Sequence, residues 1–131
     1  MDGSNEVYLL DTTAFFTGIY MSLPKCYTTY DVIDEVKDYQ SRNLLDLSIS
    51  AGKVIIMNSS QRMKEIVLNK AKEIKESGLS RADISIVALS LEFKFKKIKP
   101  ILFTDDKAVQ RLCNSLGVKY NGIRFAKKFS Y

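Results

Sequence analysis

At 131 residues, 46% hydrophobic and 27% charged, the chain has the size and balance of one folding unit with one core, and two prolines and six glycines leave little room for low-complexity tracts. No apolar run reaches the roughly 18 residues of a membrane span, and Met1-Asp2-Gly3-Ser4-Asn5-Glu6 lacks the features of a signal peptide, so a cytoplasmic protein with no membrane contact is expected. The absence of histidine excludes Ser-His-Asp, Cys-His and paired-histidine catalysis; with only Cys26 and Cys113, far apart, it also argues for no zinc and for two buried thiols.

Val7-Tyr8-Leu9-Leu10-Asp11 reads as a buried strand ending at an aspartate, followed by a helix through Ala14-Phe15-Phe16 with Thr12 or Thr13 as N-cap. Cys26 to Thr29 is a candidate short strand, and from Tyr30 the spacing of Val32, Ile33 and Val36 predicts a helix of about two turns that carries Glu35. A helix from about Ser41 to Ser50, ended by Ala51-Gly52, and a strand from Lys53 to Asn58 come next. Ser59 or Ser60 should cap a helix from Gln61 to Glu76, with Met63, Ile66, Val67, Ala71 and Ile74 on one face and Gly78 as its stop. Leu79-Ser80-Arg81-Ala82-Asp83 leads into a strongly apolar helix, expected to be central. Pro100 to Thr104 is a further buried strand, ended by Asp105-Asp106; a helix with Ala108, Val109, Leu112 and Leu116 stops at Gly117, and Val118 to Tyr120 is a last strand. This alternation predicts an α/β fold whose short parallel strands are joined by right-handed crossovers, with binding at their carboxyl ends.

Two acidic positions, Asp11 and Asp105-Asp106, fall at strand ends, and Asp83 falls in the first turn of the central helix. Singly, each reads as a helix cap; Ser80-x-x-Asp83 is a capping box in its aspartate form. Together, carboxylates without matching arginines repel one another unless they share a cation, and Mg2+ or Mn2+ takes oxygen ligands and can activate water without a histidine. Charge along the chain is uneven: residues 1 to 89 carry ten Lys/Arg against twelve Asp/Glu, and residues 90 to 131 carry ten against three. Lys94, Lys96, Lys97, Lys99, Arg124, Lys127 and Lys128 are therefore candidate nucleic-acid contacts, with Tyr27, Tyr30, Tyr120 and Tyr131 as candidate stacking surfaces.

The strand ending in Asp11-Thr12-Thr13-Ala14-Phe15, the segment Asp31-Val32-Ile33-Asp34-Glu35-Val36, Leu79-Ser80-Arg81-Ala82-Asp83-Ile84 and Leu102-Phe103-Thr104-Asp105-Asp106, in that order, resemble the PIN-domain nucleases. The resemblance implies one nuclease domain over residues 1–131, a three-layer α/β/α PIN-like fold with a central, mainly parallel sheet, and an acidic metal-binding and catalytic set of Asp11, Glu35, Asp83 and one or both of Asp105 and Asp106. The family's Thr-x-Asp pattern falls on Asp106, while Asp105 follows the strand directly. Thr12, Thr13, Ser80 and Thr104 are hydroxyl neighbours able to orient carboxylates. Within the family, Tyr30 to Asp38, Ser50-Ala51-Gly52-Lys53-Val54 and Leu79 to Leu89 look most like the branch that matures the 3′ end of small-subunit rRNA, which implies pre-rRNA or a pre-ribosomal particle as partner. Members of that branch usually carry a zinc ribbon after the nuclease domain, and no cysteine pairs occur in these 131 residues. The alternatives are a VapC-type toxin ribonuclease held by an antitoxin, with the same chemistry, and a catalytically silent module that binds RNA or protein. Homodimers occur among relatives of this kind.

Overall fold

Continuous apolar runs too short for helices become strands of a five-stranded sheet in a computed structural model that describes residues 5–123. The strands are β1 (Glu6–Leu10), β2 (Cys26–Thr28), β3 (Val54–Ile56), β4 (Lys99–Phe103) and β5 (Lys119–Asn121), in the spatial order β3-β2-β1-β4-β5. Every pairing among them is parallel, with Leu10 of β1 level with Phe103 of β4. The helices are α1 (Thr12–Thr17), α2 (Tyr30–Asp34), α3 (Tyr39–Ser50), α4 (Gln61–Glu73), α5 (Arg81–Phe95) and α6 (Lys107–Leu116), with a 3-10 turn at Ile19–Ser22.

The strand order determines where the helices lie. The chain steps from β1 outward to β3, returns across the sheet to β4, and ends at β5. Right-handed crossovers therefore place α1 and α3 on one face and α4, α5 and α6 on the other, in line with the contacts of α1 with α3 and of α4, α5 and α6 among themselves. The sheet is flanked by helices as an α/β PIN-like fold requires. Helix α5 packs on β1 and β4 and touches α2, α4 and α6, and it buries an unbroken run from Ile84 to Leu91. A helix that is apolar on all sides is stable only in such a central position.

Several boundaries differ from the sequence-based expectation. Asp11, rather than Thr12 or Thr13, caps α1 with its side chain. Helix α2 ends at Asp34 and leaves Glu35 as its C-cap, because Asp38 starts a new helix by capping α3 at Tyr39, two residues before the expected start. Helix α4 stops at Glu73 rather than Glu76. Lys75 adopts a left-handed φ of 61° and the Glu76 amide bonds the Ala71 carbonyl, so a lysine closes the helix where Gly78 was expected to. Of the candidate caps, Ser60 caps α4, and its own amide donates to Glu92 of α5 at 2.8 Å.

Candidate active site

In a parallel sheet, the crevice opens where consecutive connections leave in opposite directions. Here that point lies between β1 and β4, whose carboxyl ends run into Asp11 and Thr104-Asp105-Asp106. Helix α5 starts beside them, because the crossover from β3 returns over the sheet and presents its amino end, with Asp83, to the same edge. Glu35 reaches the edge from the C-cap of α2, and its Oε1 accepts from the Thr12 hydroxyl at 2.8 Å.

Each predicted hydroxyl engages this acidic set. Asp11 Oδ1 accepts from the Thr13 amide at 3.0 Å and the Thr13 hydroxyl at 2.6 Å, and the Thr104 side chain also bonds Asp11. Thr104 in turn accepts from the Asp106 amide at 3.1 Å, which ties the ends of β1 and β4 together. Ser80 and Asp83 form the predicted reciprocal capping box: the Ser80 amide donates to Asp83 Oδ2 at 2.9 Å and the Asp83 amide to Ser80 Oγ at 3.1 Å. Asp106 Oδ1 accepts from the amides of Ala108 and Val109.

Capping and clustering therefore coexist. Asp11, Asp83 and Asp106 each give one oxygen to the start of a helix, and three positive helix ends face the edge where the carboxylates meet. Burial pushes the Asp83 carboxyl above the ordinary range; its hydrogen bonds with Ser80 oppose the shift, and the charges of Asp106 and Glu35 add to it. Burial likewise raises Asp11, which is only 4% exposed, against the pull of its hydrogen bonds to Thr104, Thr13 and Ala14. Asp105 Oδ1 accepts from the Ile123 amide at 2.7 Å, just beyond β5.

The donor chemistry suits a hard divalent cation: these carboxylates take part in none of the ion pairs among the described residues, Asp83 feels the charges of Asp106 and Glu35, and hydroxyls steady the set. No group of three or more His, Cys, Asp or Glu side chains among the described residues is placed to hold a metal ion, so a cation here would take one or two protein carboxylates and leave the rest of its shell open. Mg2+ and Mn2+ suit such an open site, because they keep waters and complete their shell with substrate phosphate.

The predicted basic residues lie apart from this edge. Lys94, Lys96, Lys97 and Lys99 sit where α5 ends and β4 begins, the other end of the sheet, and a fifteen-residue helix spans about 22 Å. Lys94 has a structural task there, donating to the carbonyls of Leu116 (3.3 Å) and Gly117 (2.9 Å) at the end of α6. Arg124, Lys127, Lys128 and Tyr131 lie outside the described residues; the chain enters that segment from Ile123, hydrogen-bonded to Asp105. Tyr27 packs edge-on to Phe93 at 5.1 Å, the Tyr120 hydroxyl accepts from Asn114, and Tyr30 is 58% exposed at the start of α2. Arg111 feels the charge of Asp106, and Lys64 and Arg81 line a cleft together with Ser80; all three were missed in sequence because the run of lysines from Lys94 to Lys99 dominates the local basic count. Their one legible signal was Arg81, two residues ahead of Asp83.

Residues 8–93 match the PIN domain of ribonuclease. This chain belongs to the PIN-domain ribonuclease family. Among its PIN-domain relatives, it is 38% identical to the endoribonuclease Nob1 of Pyrococcus abyssi over 94% of its own length and 74% of that protein. It is 34% identical to the ribonuclease VapC3 of Aeropyrum pernix, covering 92% of this chain and 88% of that one. It is also 28% identical to Nob1 of Methanocaldococcus jannaschii over 94% of this chain and 59% of the relative.

Proposed function

We propose that this protein is a divalent-metal-dependent endoribonuclease of the Nob1 kind, acting in the cytoplasm on precursor rRNA near the 3′ end of the small-subunit sequence. The observation that carries the proposal is the placement of Asp11, Glu35, Asp83 and Asp106 at element ends around the switch point of the sheet, each with a hydroxyl-bearing neighbour. The similarity to Nob1 supports the choice of substrate.

One or two carboxylates of this set would hold Mg2+ or Mn2+ together with water and substrate phosphate, with Asp106 preferred to Asp105 because its charge is felt at Asp83. A bound cation supplies positive charge to the phosphate and lowers the pKa of water. Thr12 and Thr13 fix Glu35 and Asp11, Ser80 fixes Asp83, and Thr104 links Asp11 to the Asp106 backbone, so the acids are oriented before substrate arrives. Hydrolysis joins the oxygen of water to phosphorus and breaks the bond to the 3′ oxygen, leaving a 5′-phosphate and a 3′-hydroxyl.

The deciding experiment is cleavage with and without Mn2+ of a precursor spanning the small-subunit rRNA 3′ end, beside an unrelated single-stranded RNA. Preference for the precursor is expected. Equal cleavage of both, with growth arrest on expression of the protein alone, would favour the toxin reading that the similarity to VapC3 supports, in which an antitoxin is the partner. Absence of cleavage with either metal would leave a silent binding module.

A further inference from the structure

A cleft of about 500 Å3 opens beside the acidic edge, between α2, α4 and the start of α5. Its volume lies within the range of about 300 to 1,000 Å3 typical of pockets for small molecules. Leu68, Leu79 and Ile84 form an apolar wall, and Lys64 and Arg81 bring two positive charges to it. Ser80 is part of the same lining, so the cleft shares a wall with the acidic site through the capping box that holds Asp83. Ser85, another lining residue, is 2% exposed and its hydroxyl has no hydrogen-bond partner among the described residues.

We infer that this cleft is a nucleotide subsite, which takes the base and phosphate of the residue next to the scissile phosphodiester in single-stranded RNA. The inference rests on the nuclease reading for the position of the scissile bond, and on the cleft itself for the ligand. Two cations flanking an apolar wall match a phosphate and the face of a base, and Arg81 can meet phosphate through two parallel hydrogen bonds. Gln61 and Asp31 complete the lining with groups that hydrogen-bond a base edge. An acidic polypeptide would satisfy the cations but would leave this wall and these polar groups without a matching surface.

The test pairs binding with catalysis in the full chain. Fluorescein-labelled octauridylate is titrated by anisotropy without divalent metal, at several salt concentrations, against wild type and the double variant Lys64→Gln/Arg81→Gln. Amide chemical shifts are followed in parallel. Both substituted side chains sit on the rim, so thermal unfolding should be unchanged. The subsite predicts about tenfold weaker binding in the variant, a salt slope shallower by about 0.7 for the one phosphate no longer neutralised, and shifts centred on Leu68, Leu79 and Ile84. With Mn2+ it predicts a raised KM and a kcat within about threefold of wild type.

Unchanged affinity and salt slope would overturn the subsite, as would cleft amides that respond to polyglutamate and not to octauridylate. The two proposals fail separately. Wild type that binds through the cleft but cleaves nothing removes the catalytic reading and keeps the subsite; cleavage with an unaltered KM in the double variant removes the subsite and keeps the nuclease.

Discussion

Asp11 and Asp106 each cap a helix, and under the proposed function each would also serve the cation, two roles that one substitution can separate. Asparagine caps a helix about as well as aspartate does but carries no charge, whereas alanine loses the cap at a cost of about 1 kcal/mol. Asp11→Asn and Asp106→Asn should therefore abolish Mn2+-dependent cleavage with little loss of melting temperature, and Asp106→Ala should lose both. Retained cleavage in either asparagine variant would refute the site assignment. The buried carboxyls also set a pH dependence. Asp83 and Asp11 titrate above their unfolded values, so the folded state takes up protons first as pH falls. Their charge opposes folding fully above the folded pKa, and stability recovers as pH drops through it. Asp83→Asn should thus melt a few degrees above wild type at neutral pH, a modest gain because the side chain is partly solvated, and the gap should close on acidification. Added Mn2+ should raise the melting temperature of wild type and not of this variant, which reads metal binding without reference to activity. The thiols follow the same physics in a simpler form. Burial pushes Cys26 up to about 11 and Cys113 to about 12, so neither should react with a thiol reagent at neutral pH until the protein unfolds.

The elements end as their sequences allow, and two endings are suboptimal. Lys75 after α4 and Lys97 after α5 sit in the left-handed region, at φ 61° and 63°, where glycine is the usual residue. The amides that follow them bond back to Ala71 and Phe93, so the turns are complete despite the side chain. Lys75→Gly should stabilise the protein by about 0.5 to 1 kcal/mol, measurable in chemical denaturation, because it relieves the Cβ strain and keeps the hydrogen bonds. Loss of stability would show that the lysine makes contacts worth more than the strain. At the element scale the sequence was informative wherever one period dominated. The apolar runs of β1 and β4, the uninterrupted interior of α5 and the Gly117 stop of α6 were all legible. The ends of α2 and α4 were not, because a lysine in a left-handed turn and the cap made by Asp38 depend on backbone geometry that residue type signals weakly.

At the scale of the molecule, among the described residues, the acidic edge and one group of lysines lie at opposite ends of the sheet. The acidic edge lies at the carboxyl ends of the strands, and Lys94, Lys96, Lys97 and Lys99 lie at the other end. Removing Lys96, Lys97 and Lys99 together should weaken binding of a long RNA and flatten its salt dependence, yet leave the KM for an octanucleotide unchanged, since a short strand held at the acidic edge cannot reach them. An equal effect on both lengths would place them on the substrate path next to the scissile bond. The sequence by itself determined which side chains could do chemistry: with no histidine and two isolated cysteines, only carboxylates remained, and their positions at strand ends and in a capping box were visible as motifs. The tertiary structure decided how those groups combine. That Asp106 and Glu35 are felt at Asp83, and that a cleft lined by Lys64 and Arg81 opens at Ser80, follow from the return crossover that brings the start of α5 to the ends of β1 and β4. That crossover joins residues far apart in the chain, and neither composition nor local period carries information about which distant segments will meet.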